Sequence, residues 1–177
     1  MSDMFHKAKT RILERIETPR DLLEFKLGTA LTMEHSILDM LDRVQEEAQS
    51  NEIKQQLRHH ADQTRGQVEN IEQAFAALGV EADERPCPSI EALDKEARMN
   101  IKIAEDRMVD AVILSGAAET EHHEIAAYET LVAHAEALGE RDVVERLREN
   151  LEQEKHMLDA VRHATQRCAA ELSHQTA

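Results

Sequence analysis

Aromatic side chains make up only 2% of the 177 residues, and tryptophan is absent. Glycine occurs five times and proline three times, so few positions interrupt regular structure. With Ala, Leu, Glu, Gln and Arg abundant, this is the composition of a helix bundle. No segment sustains period-two alternation, which argues against a sheet. Basic residues are also in deficit: 21 Lys and Arg stand against 36 Asp and Glu, a formal net charge of -15. Without a basic surplus to replace phosphate counterions, a nucleic-acid or anionic-membrane partner is not expected. The acidic balance reads first as a solvated surface that aids solubility, with an acidic docking patch or a lure for cations as the other readings. No apolar run approaches the roughly 18 residues needed to span a bilayer. The N-terminal MSDMFHKAKTRILERIE lacks the apolar core of a signal peptide. The two cysteines, Cys87 and Cys168, lie far apart with no CxxC pattern, so a disulfide framework is not expected and a reducing cytoplasm is the expected compartment.

The length suits a single domain over 1–177 with a core large enough to fold unaided. A short basic amphipathic stretch at about 2–16 comes first. Thr18-Pro19 then offers a helix start with proline in the first turn. The first long helix is expected over about 19–49, with Leu23, Leu27, Ala30, Ile37, Leu41 and Val44 on one face. A second, over about 51–78, carries Leu57, Ala61, Thr64, Val68, Ile71, Phe75 and Leu78 at alternating steps of four and three, and Gly79 is a good stop. Residues 80–89, with two prolines, read as a crossing loop. A third helix is expected over about 90–138, its first stretch to about Lys102 merging with the rest, and Gly139 ends it. The fourth covers about 140–172 on Val144, Leu147, Leu151, Leu158 and Val161. Two antiparallel hairpins joined by one crossover make an all-α, ferritin-like four-helix bundle with a short N-terminal helix.

Glutamate interrupts three of the four apolar stripes. Glu34 lies seven residues from Leu27 and Leu41, Glu121 seven from Leu114 and Tyr128, and Glu154 seven from Leu147 and Val161. Seven residues are close to two helical turns, so each carboxylate points where a leucine is expected. An ionised carboxylate buried alone costs more than a marginally stable domain can absorb. Each therefore needs a cation, either a metal ion or a buried Arg or Lys.

Dinuclear carboxylate sites in such bundles draw a Glu from two helices and Glu-x-x-His from the other two. Here 35 residues separate Glu34 from Glu69, and 33 separate Glu121 from Glu154, so the hairpins offer matched carboxylates. The His of the pattern is missing twice: Glu72 follows Glu69 at i+3 and Met157 follows Glu154. Glu69 and Glu72 lie beside their stripe, and both the ligand and the surface reading stay open for each. His122, next to Glu121 and about 100° round the helix from it, is a candidate terminal ligand. Glu124, one turn from Glu121, is either a further oxygen ligand or an interface residue. His60 flanks its stripe within reach of the interior, and Tyr128 is either core or a hydrogen-bond donor to the site.

The string Glu121-His122-His123-Glu124-Ile125-Ala126-Ala127-Tyr128, followed by Thr130-Leu131 and Ala135-Glu136-Ala137-Leu138-Gly139, resembles the stress-associated YciE/YciF-type ferritin-like proteins. Asp21-Leu22-Leu23, Glu34, His60, Thr64, Gln67-Val68-Glu69, Ile71-Glu72 and Leu151 through Lys155 extend the similarity over roughly Asp21 to Val161. The resemblance implies a rubrerythrin-like bundle, commonly a homodimer, around a carboxylate-rich dinuclear metal site. It carries metal-binding roles onto Glu34, Glu69, Glu72, Glu121 and Glu154, with His122 and Glu124 beside them. His123 stands where the family usually has Tyr, and Gln153 where an acid is usual. The function expected is a metal-binding protein, di-iron first and manganese or zinc otherwise, with peroxide or oxygen chemistry under stress. The alternative is a structural or interaction protein whose site has degenerated. Neither a substrate nor a redox partner can be read from these residues.

Overall fold

The computed structural model describes residues 15–175. The short helix expected at about 2–16 falls almost wholly outside them. Helix α1 spans Pro19–Glu47, α2 Asn51–Ala77, α3 Pro88–Ile103, α4 Val109–Leu138 and α5 Arg141–Gln175, with a 3-10 turn at Asp106–Met108. Among the described residues there is no strand, and no helix is long and apolar enough to cross a membrane.

Local chemistry sets the helix ends. Thr18 caps α1: its hydroxyl accepts from the Asp21 amide, while the Asp21 carboxylate accepts from the Thr18 amide. Ser50 caps α2 in the simpler one-sided way. Gly79 and Gly139 end α2 and α4 in the left-handed region, with φ of 72° and 74°. There the following amides turn back onto the carbonyls of Phe75 and Ala135.

Four helices form the bundle, and hydrogen bonds between them fix its order. Gln67 meets Glu154 and Arg167 meets Glu52, so α2 and α5 run antiparallel. Asp110 accepts from the amides of Gln49 and Ser50 at 2.7 and 2.9 Å, and Tyr128 meets Glu34, so α1 and α4 are antiparallel as well. At the other end Arg20 binds Glu24, Glu140 and the Leu78 carbonyl, holding α1, the end of α2 and the α4–α5 turn together. The chain must therefore travel the length of the bundle between α2 and α4. Residues 78–87 begin that crossing by lying on α1, where the Arg85 amide donates to the Gly28 carbonyl at 3.0 Å.

The expected continuous helix over 90–138 is instead two helices. Ala104 and Glu105 are extended, with ψ of 140° and 150°, and α3 folds back along α4 and α1. An unbroken helix of that length would reach roughly 74 Å at 1.5 Å per residue and overrun its neighbours. Its N-terminal apolar face would then have no partner. Folding back seats Ala97 beside Gly116 and buries Ile90 completely, and Arg43 binds Asp94 across α1 and α3.

The inner seams follow steps of four and three. On α5 they are Val143, Leu147, Asn150, Glu154, Met157, Val161 and Ala164, all buried, so Val143 rather than the expected Val144 faces the core. On α2 they are Ile53, Leu57, His60, Thr64, Gln67, Ile71 and Ala74, continued by Leu78 at its C-cap.

Two glycines separate packing from propensity. A Cβ on Gly28 would lie 2.3 Å from the Asp83 carbonyl oxygen, whereas one on Gly66 would meet nothing within 4 Å. Gly28→Ala must displace the crossover backbone and is expected to cost about 1–3 kcal/mol. Gly66→Ala, in the middle of α2, should gain about 0.5–1 kcal/mol. Urea denaturation of the two variants checks both signs.

Candidate metal centre

The seams bring a polar layer into the middle of the bundle. Glu34 comes from α1, His60, Thr64 and Gln67 from α2, Glu121, Glu124 and Tyr128 from α4, and Asn150 and Glu154 from α5. All are at most 6% exposed. The spacing within each helix is three, four or seven residues, so one face of each helix delivers its whole share.

His60, Glu121, Glu124 and Glu154 converge most closely. One ligand atom from each lies within 4.8 Å of the others. His60 Nε2 is 3.2 Å from Glu121 Oε1, and Glu121 and Glu154 each act on the other's protonation. Glu34 stands beside these four and acts on them electrostatically. A hydrogen-bond chain supports it: Asn70 donates to Asn150 at 2.8 Å, Asn150 to the Tyr128 hydroxyl at 3.0 Å, and Tyr128 to Glu34 Oε1. Asn150 also donates to the Gln67 carbonyl at 3.2 Å, and the Gln67 amide binds Glu154 Oε1.

The carboxylate oxygens outnumber these partners. Glu34 Oε2, Glu121 Oε2, Glu154 Oε2 and both oxygens of Glu124 are buried without a hydrogen-bond partner, as is His60 Nδ1. No Lys or Arg among the described residues pairs with any of the four glutamates, so the buried ion-pair reading is not the one the fold realises. Burial shifts every group toward its neutral form. It raises Glu121 to about 7 and Glu154 to about 8, the latter helped by the charge of Glu121. Glu34 and Glu124 are pushed well above the ordinary carboxylate range, by burial first and the charge of Glu154 next. Burial lowers His60, against the pull of Glu154 and Glu34. A neutral His60 that donates from Nε2 keeps the Nδ1 lone pair free. Each ion left bare in such an interior costs several kcal/mol, against a total stability of about 5–15 kcal/mol for a domain. The set is therefore stable with protons or with cations, and its unpartnered oxygens fit hard divalent ions.

The structure brings Glu34, Glu121, Glu124 and Glu154 together and leaves the other expected ligands outside. Glu69 and Glu72 are exposed, because they lie about 180° and about 120° round α2 from His60. His122 is also exposed, turned off the face that Glu121, Glu124 and Tyr128 share. From α2 the layer receives His60 and Gln67 instead. Sequence reasoning had His60 only at the margin and missed Gln67 and Asn150 as site residues. The available signal was the polar run His60-Thr64-Gln67 at steps of four and three, opposite three stripe glutamates.

An antiparallel four-helix bundle with one long crossover and carboxylates gathered from facing helices belongs to the ferritin-like class of helical proteins. Residues 18–173 match the family described as "Domain of unknown function (DUF892)", and the chain belongs to that family. Protein YciF of Escherichia coli strain K12 is 30% identical over 142 residues, covering 79% of this chain and 86% of that protein. The crystal structure of the E. coli stress protein YciF superposes with a TM-score of 0.84 at 26% identity, covering 88% of this chain and 99% of that one. YcfI from Rhodopseudomonas palustris gives a TM-score of 0.82 at 35% identity, over 86% of this chain and 98% of that one.

The titrations carry a sign. In the metal-free protein the raised glutamates hold protons that the unfolded chain releases in the ordinary carboxylate range. The folded state thus binds more protons than the unfolded state from that range up to about 8, and stability falls as pH rises across it. His60 opposes this only below its own ordinary range, where the unfolded chain takes up a proton first. Calorimetry in chelator should therefore show a lower melting temperature at about pH 8 than at about pH 5.5. A rise over that interval would contradict the assignment.

Proposed function

We propose that the chain binds a pair of divalent metal ions among Glu34, His60, Glu121, Glu124 and Glu154, with iron best suited, and serves oxygen or peroxide chemistry under stress. The observation that carries this reading is the excess of buried, unpartnered carboxylate oxygens over every cation the described residues offer. Four carboxylates from three helices, α1, α4 and α5, with a single imidazole from α2, are an oxygen-rich donor set that suits iron or manganese and also accepts zinc. Bound iron would supply one-electron steps toward oxygen or peroxide. The protein's share is to hold the donors in place and dry. Tyr128 and Asn150 orient Glu34, Gln67 orients Glu154, and the apolar layers above and below exclude water. The description of the E. coli relative as a stress protein is consistent with such a role.

The second reading, a structural or interaction protein with a degenerate site, draws on one observation. Helix α2 contributes a neutral Gln67 and a lone histidine to the layer, and no carboxylate.

Metal-stripped protein titrated with Fe(II) or Mn(II) without oxygen separates the two readings. The metal reading expects saturation at a pair of ions per chain and a raised melting temperature; no binding leaves the structural one. Glu124→Gln sharpens the contrast, because it removes a fully buried carboxylate. In chelator at about pH 8 it should stabilise the fold by roughly 1–3 kcal/mol. It should also weaken metal binding by about 10- to 100-fold, measured by the same titration.

A further inference from the structure

A cavity of about 60 Å³ lies between α3 and the bundle, on one side of the polar layer. At its outer rim are the half-buried side chains of Met40, Gln56, Ala97 and Ile101, and at its inner end are His60 and Glu121. Between them the wall is apolar, with Ile37, Leu57, Leu114 and Met157 among its residues. Thr120 also lines it, but its hydroxyl already donates to the Gly116 carbonyl at 3.0 Å. Both inner-end residues also carry a buried polar atom without a partner, Glu121 Oε2 and His60 Nδ1.

Size and polarity together narrow the occupant. One water needs roughly 10–15 Å³ of such space, and a dry cavity of roughly 150 Å³ holds benzene or xenon. The volume here accepts a molecule of a few heavy atoms and no long acyl chain. A polar group moved into an apolar wall without hydrogen bonds costs roughly 1–3 kcal/mol, a penalty that hydrogen peroxide incurs at both hydroxyls. Dioxygen, which is apolar, incurs none.

We propose that this passage is a binding and entry site for a small nonpolar molecule of the dioxygen class, delivered to the His60–Glu121 edge of the layer, and that it discriminates against peroxide. The delivery half rests on the metal reading above; the binding half does not. The passage exists because α3 folds back. Ala97 on α3 and Gly116 and Ala117 on α4, all small, line its α3 side, and a Cβ on Gly116 would already touch Ala97 at 3.8 Å, so a larger side chain at 97 or 117 would fill the space.

The test uses xenon as the probe, on crystals of the full chain stripped of metal. Anomalous density for xenon is expected between Leu114 and Met157 in the unaltered protein and should be lost in Ala117→Leu. Ala97→Leu plugs the half-buried rim and repeats the test without touching the bundle core. With Fe(II)-loaded protein, either variant should slow oxidation by dioxygen about tenfold. Oxidation by added hydrogen peroxide should be little changed. Absence of xenon from the unaltered protein, or equal slowing with both oxidants, overturns the proposal. Xenon in the passage of a protein that takes up no iron would instead uphold the site and refute the metal reading.

Discussion

Four glutamates held in a dry layer repel one another, and a solvent-excluded interior cannot leave them bare. That constraint organises the middle of the molecule. Tyr128, Gln67 and His60 each supply one contact to a carboxylate, and together they satisfy fewer than half of the layer's carboxylate oxygens. What remains is a demand for protons or metal ions, and which of these answers it depends on pH and supply. Under the metal reading proposed above, metal binding and fold stability are one equilibrium, since a cation bound to the folded layer would remove the repulsion folding creates.

The rest of the fold keeps that layer in register. Apolar side chains above and below it, from Leu23 and Leu27 on α1 to Leu147 and Val161 on α5, provide the burial that offsets the electrostatic cost. Both ends of the bundle are pinned by single polar residues that reach across elements, Arg20 at one end and Asp110 at the other. Sliding one helix by a residue would break these ties and move a glutamate out of the layer. The fold-back of α3 plays a different part, since it covers one flank and leaves an apolar passage to the layer.

Much of this was legible in the residues. Glu34, Glu121 and Glu154 fall at seam positions with leucine, valine or tyrosine seven residues away, and the period alone places them inside. Thr18-Pro19, Gly79 and Gly139 mark helix ends by known backbone chemistry. Helix α2 was harder. Ala61 and Val68 are apolar and draw the seam toward themselves; Ala61 is buried, but Val68 is only half-buried, and the fully inward polar positions one residue earlier are His60 and Gln67. A rule that assigns the core by polarity must fail where the core is polar by design. The turn at Ala104-Glu105 was hidden for another reason. No glycine or proline marks it, and only the overreach of an unbroken helix and the packing of α3 on α4 explain it. Glu69 illustrates the reverse error: matched spacing between hairpins suggested a ligand, while helical phase places it on the opposite face.

If the layer holds metal, anomalous scattering at the iron and manganese edges, from crystals of protein purified without chelator, should show a pair of peaks among Glu34, His60, Glu121, Glu124 and Glu154, at the absorption edge of one of those elements. No peak there, with the glutamates paired to one another through protons and the protein fully stable, would contradict the metal reading.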